Sequence, residues 1–174
     1  MSTASRVSVT AAIQNYLQNS GITYLSNVYA YPAKFTPEGD FFDGEDPGTQ
    51  SGALIFMRLA NQHDVRMSLQ GLPAGGKMTY YDLELTIIFR SMKPLSQDAG
   101  LDNDTFLDSL LEAIRASKTA GTTDGTVWQW GEGSTRGGAD LELEVFYPRP
   151  LASSNGVTQT NSRLKIAVLQ YASA

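Results

Sequence analysis

Few side chains in this sequence are of types that do chemistry, and most of them are acids. Glu142 and Glu144 alternate along one stretch, and Asp82 and Glu84 along another. Two carboxylates can share the acid and nucleophile roles of glycoside hydrolysis when their surroundings push their pKa values apart. Here both members of each pair occupy every second position of an alternating segment, which puts them together on one strand face turned to solvent. The spacing therefore reads as a solvated sheet face. His63 is the one histidine, and the chain has no cysteine. That excludes thiol nucleophiles, disulfides and cysteine-held metals, and it leaves no second histidine for a metal site. His63 falls in a polar Asn61-Gln62-His63-Asp64 run that reads as a solvated turn. Gly75-Gly76-Lys77 suggests a phosphate loop, yet Met78 and a strand follow where Ser or Thr and a helix are required. No catalytic, cofactor-binding or metal-ligating set emerges.

Aromatic residues in polar surroundings are the other candidates. Phe41 and Phe42 stand side by side in an acidic, proline-punctuated stretch, and Trp128 and Trp130 flank a single glutamine. Large rings carry much burial energy, so a loop-borne pair either tucks under its own loop or anchors a partner. These four are the candidate partner contacts.

The elements that must position them follow from hydrophobic period. Within residues 80–116, Tyr81, Leu83, Leu85, Ile87 and Phe89 alternate with Asp82, Glu84, Thr86 and Arg90, a half-buried strand. Phe106, Leu107, Leu110, Leu111 and Ile114 then recur at helical spacing after an Asp/Asn-rich turn. Upstream, Ser8 caps a first helix lined by Val9, Ile13, Tyr16 and Leu17, which stops at Asn19-Ser20-Gly21. A strand is expected within residues 22–31. Residues 53–60 are almost wholly apolar, as for a strand covered on both faces. A turn at 61–63 and a partner strand at 65–69 would complete a three-stranded meander over residues 53–91. Its last strand, residues 78–91, would extend about 45 Å, which implies either an overhang beyond the core or a bend within it. Short strands at 127–130, 141–147 and 162–171 follow, with a Gly-rich tip at 131–138. Glu142 and Glu144 could face Arg163 and Lys165 across the last pair.

The expectation is one α+β domain over residues 1–174, a mixed or antiparallel sheet with a long β-hairpin packed against two helices. Long loops are expected at 32–52 and 148–161. The formal charge of −5, with thirteen scattered basic residues, argues against a grip on nucleic-acid phosphates. No window is long and apolar enough for a membrane span, and no secretory signal is expected.

The chain resembles the tail terminator (tail-completion) proteins of long-tailed bacteriophages. The likeness rests on the helix Val9-Thr10-Ala11-Ala12-Ile13-Gln14-Asn15-Tyr16-Leu17 running to Val28-Tyr29 and Pro32, and on the strand Glu84-Leu85-Thr86-Ile87-Ile88-Phe89-Arg90-Ser91. The helix Phe106-Leu107-Asp108-Ser109-Leu110-Leu111 and the strand over residues 141–147 complete it. The resemblance implies a non-enzymatic homo-oligomer, usually a hexameric ring, that caps the tail tube at the head-proximal end of the virion tail after assembly in the host cytoplasm. It also implies contacts with the tail tube protein and with a head-tail connector or stopper protein, no cofactor, and DNA passing the lumen without specific binding. A tail tube subunit or a head-completion protein is the neighbouring reading. A monomeric module that uses Trp128, Trp130 and the Phe41-Phe42 loop to hold a small ligand or peptide is the reading from another class.

Overall fold

A computed structural model of the chain describes residues 6–31, 51–67, 76–93, 96–116, 119–121, 127–130, 141–146, 149–150 and 157–173. Helix α1 (Arg6–Asn19) buries Val9, Ile13 and Leu17 at helical spacing and ends at Gly21, whose φ of 66° is the left-handed geometry a helix stop requires. Strand β1 (Leu25–Tyr29) follows. Strands β2 (Ser51–Met67) and β3 (Gly76–Ser91) form a long antiparallel hairpin. Helix α2 (Ser96–Ala116) leads to the short strands β4 (Thr119–Gly121), β5 (Val127–Trp130), β6 (Leu141–Val145) and β7 (Arg149–Pro150), and β8 (Thr158–Ser173) closes the fold.

The strands make one eight-stranded mixed sheet, in which β1 lies parallel to β2 and the other pairs are antiparallel. The α+β expectation therefore holds. β3 is the axis, paired over its whole length with β2 on one side and β8 on the other. The far edge of β8 is covered in relay by β5, β6 and β7, so three short segments act as one interrupted strand.

The core lies between the helices and one sheet face. Tyr81, Leu83, Leu85, Ile87 and Phe89 are all buried there, with Leu164, Ile166 and Val168 from β8 and Phe106, Leu110 and Ile114 from α2. Residues 51–57 are buried without interruption, as expected for a strand covered on both sides. Leu54 and Phe56 form a second small cluster on the opposite face, where the Tyr29 ring stacks on Phe56 at 5.1 Å.

Three expectations are corrected. The polar run at 61–63 is no turn, and the meander is a two-stranded hairpin, because β2 continues through that run to Met67. Between the Leu59–Leu83 and Gln62–Tyr81 pairs β2 carries one more residue than β3, a β-bulge. A bulge and a polar turn both break the apolar alternation, so period alone does not tell them apart. Second, the Asp/Asn-rich stretch before Phe106 is the opening of α2, which starts at Ser96 and has Asp98 in its first turn, where the helix dipole favours an acid. Third, pairing of Arg149 and Pro150 with β8, and the start of β8 at Thr158, make the loop at 148–161 shorter than expected.

Candidate functional site

Beyond the core the three long strands keep going. Among the described residues, Leu59, Tyr81 and Val168 are the last members of the hydrophobic core at this end of β2, β3 and β8, with Thr79 buried two residues beyond Tyr81, yet pairing runs on to Met67, Gly76 and Ser173. Pairing thus continues roughly 17 Å past Tyr81 and Val168 on β3 and β8. Residues 61–64 on β2 are exposed throughout. Asn61, His63, Tyr80 and Asp82 line a cavity of about 290 Å³ at the bulge. The Asn61 amide donates to Asp82 Oδ2 at 2.8 Å, and the Thr79 hydroxyl donates to Asp64 Oδ1 at 2.9 Å, so side chains reinforce the ribbon across the strands.

The sheet also has open edges. β1 covers β2 only opposite residues 53–56. From Met57 to Met67 the outer edge of β2 has no strand partner among the described residues. Arg6, at the start of α1, partly guards it: the guanidinium donates to the Leu59 carbonyl and to Gln62 Oε1, and lies 5.8 Å from the centre of the Tyr81 ring. At the other side of the sheet the outer edge of β6 is likewise unpaired among the described residues, and Val145 and Phe146 there are 49% and 53% exposed.

The face opposite the helices carries the charges. Arg58, Glu84, Lys165 and Glu142 fall in one register row across β2, β3, β8 and β6, with alternating sign. Lys165 Nζ sits 3.0 Å from Glu142, as the cross-strand match requires. Arg163, level with Glu144, bonds instead to Glu84 at 2.6 Å. The expected match is thus made at Glu142 and diverted at Glu144. Asp82, Glu142 and Glu144 are exposed and Glu84 is half-buried.

A buried polar latch sits at the opposite end of the same strands, and sequence reasoning missed it. Asp102 on α2 is 5% exposed. It accepts hydrogen bonds from Ser51 at 2.6 Å and Tyr24 at 3.2 Å and is paired with Lys93 at 2.8 Å, while Ser51 and Ser91 meet at 2.8 Å. One carboxylate therefore ties together α2, the start of β2, the end of β3 and the approach to β1. Burial pushes the Asp102 carboxyl up, but the Lys93 ammonium and the Ser51 and Tyr24 hydroxyls outweigh it and leave the group below its ordinary value. The same pair holds the Lys93 ammonium above its usual range, chiefly through its hydrogen bond to Asp102. Tyr24 holds a φ of 63°, costly for a residue with a side chain, and its hydroxyl bond and edge-on contact with Phe89 help to hold it there. The sequence signal was present: Asp102 and Asn103 fall on the same helical stripe as Ala99, Phe106 and Leu110, and a polar residue on an apolar stripe needs a buried partner.

Of the candidate partner contacts, Phe41 and Phe42 lie outside the described residues. Trp128 and Trp130 lie on β5, in register with Gln170 and Val168, and their side chains are outside the described residues. His63 is exposed on the bulged strand. Among the described residues no cluster of three or more His, Asp or Glu side chains is arranged to hold a metal ion, and no helix is long and apolar enough to cross a membrane. No protein-family model matches the chain, and no curated protein matches it.

Proposed function

We propose that the chain is a structural virion protein of the tail-terminator type: a ring subunit that caps the tail tube, stops its polymerisation and offers the surface for joining the head connector. In this reading it binds a tail tube protein on one ring face and a connector or stopper protein on the other, at the head-proximal end of the tail, with no catalytic step. The observation that carries it is the three-stranded ribbon that stays paired beyond Leu59, Tyr81 and Val168, in a sheet whose β2 and β6 outer edges have no strand partner among the described residues. Strand edges left free in a folded domain invite pairing with another chain. A ring repeats one modest contact around its axis, so closure makes the assembly strong. A lumen formed by an acidic protein repels DNA and favours transit over adhesion.

The test is mass by light scattering over a wide concentration range, with negative-stain imaging of any assembled fraction, alone and with isolated tail tubes. Discrete rings, or rings seated on tube ends, are expected. Long stacked tubes would move the assignment to the tube subunit. A strict monomer that also ignores tail tubes would overturn the reading.

A further inference from the structure

Arg6 stands where a cation is least expected. It is the first residue of α1, the helix has no acid in its first turn, and the helix dipole disfavours positive charge at that end. What the guanidinium touches accounts for the position. It donates to the main-chain carbonyl of Leu59, donates to Gln62 Oε1 at 3.2 Å and lies 5.8 Å from the centre of the Tyr81 ring. Leu59 and Gln62 are the two residues that bracket the bulge of β2.

The Leu59 carbonyl belongs to the outer edge of the sheet. Along a strand, the main-chain groups of successive residues point to opposite neighbours. The Ala53 amide points away from β3, to the Tyr24 carbonyl. Steps of two residues lead from Ala53 to Leu59 through regular pairing with β3, so the N–H and C=O of Leu59 also point outward. β1 ends opposite Phe56, which puts Leu59 at the start of the uncovered stretch. Any strand that continues the sheet outward from there needs the acceptor that Arg6 already holds. A strand that avoids Arg6 is confined to residues 63–67, beyond the last core residue of β2 among the described residues.

We infer that Arg6 is a brake on assembly: in the free subunit it occupies the β2 edge, and a neighbouring copy displaces it before pairing there. This rests on the ring reading above and adds what holds back premature joining. Charged side chains and bulges are two devices that blunt a free strand edge, and here both act at the same point of β2. Release does not require α1 to unfold. Val9, Ile13 and Leu17 keep the helix on the core while the guanidinium alone moves away into water. Arg6 and Gln62 are both exposed, so the clasp is weak beside a ladder of main-chain bonds. It delays pairing without forbidding it.

Two full-length variants test the brake, Arg6→Ala and Arg6→Lys. Light scattering gives the concentration at which half the protein is assembled, alone and with isolated tail tubes, and negative-stain imaging shows the form. Arg6→Ala lowers that concentration about fivefold or more and still gives rings. Its melting temperature stays close to that of the unaltered protein, because the lost contacts are offset by removing a cation from the helix N-terminus. Arg6→Lys keeps the charge without the planar fork and falls between the two. A folded Arg6→Ala whose assembly concentration is unchanged or raised, or one that gives irregular aggregates in place of rings, would overturn the brake and leave the ring reading standing. If Arg6→Ala does not fold, Arg6→Lys decides, and no lowering there would overturn the brake. Failure of both the unaltered protein and Arg6→Ala to form rings, even with tail tubes, would overturn both readings.

Discussion

The two ends of β2, β3 and β8 share the same strands and the same ladder of main-chain hydrogen bonds, yet they are built for different ends. At one end Ser51, Ser91 and Asp102 are sealed under α2, where every polar contact is made in low dielectric and is costly to lose. At the other end residues 61–64 lie in water beside an open edge. Pairing alone does not make a sheet end rigid or closed. Coverage by a second layer does, and where coverage stops the strands remain available to another molecule.

Hydrogen exchange should separate the two ends by orders of magnitude. Ile87 and Phe89 amides should exchange only through global unfolding, and outer-edge amides of residues 61–64, exposed and without a strand partner among the described residues, should exchange with little or no protection. Equal protection at both ends in a monomeric sample would break the comparison. Phe106→Ala removes a ring packed against Phe89 at 6.0 Å and should cost about 3–5 kcal/mol in denaturant unfolding. Asp102→Ala strands Ser51 and Lys93 without their acceptor and should cost about 3 kcal/mol.

The latch also sets a pH dependence. Asp102 ionises more readily folded than unfolded, so its contribution is fully present above the ordinary carboxylate range and is lost as pH falls through the depressed folded value. Lys93 works at the alkaline side: its contribution is present below the usual lysine range and disappears as pH rises through the raised folded value. Acid unfolding of Asp102→Asn should lack the part of the pH dependence that the native protein shows, and identical curves would remove the latch as its source.

Smaller effects belong to the other end and to the charged face. Deleting Asn61 removes the extra residue of the bulge and its bond to Asp82, leaves residues 62–67 in register with β3, and should cost about 1 kcal/mol, with the core melting otherwise unchanged. Glu84→Gln loses the bond to Arg163 and should cost only about 0.5 kcal/mol, diminishing further in high salt because Arg163 is substantially exposed. A large loss from Glu84→Gln would mean that the charged face stabilises the fold itself.

Much of this was legible from residue types. Period two in residues 81–89 and period 3.6 from Phe106 to Ile114 named the strand, the helix and the faces they bury, since burying an apolar stripe is the main force on either element. The same pattern reads the Asn61-Gln62-His63 run and the Asp/Asn-rich run alike as turns. In both places polar residues broke a local pattern, and their partners lay far away in the chain: the ladder to β3 in one case, Ser51 and Tyr24 in the other.

The sequence by itself determined the class of fold, the core faces, the absence of cysteine chemistry and the alternating charges on single strands. Tertiary structure alone decided that those charges line up as one row across four strands, that Glu84 takes Arg163 away from Glu144, and that Asp102 gathers four segments into a latch. Local patterns report what each segment must bury. Which distant segment meets it, and at what register, is set only when the strands compete for one another's edges and the helices close over the winner.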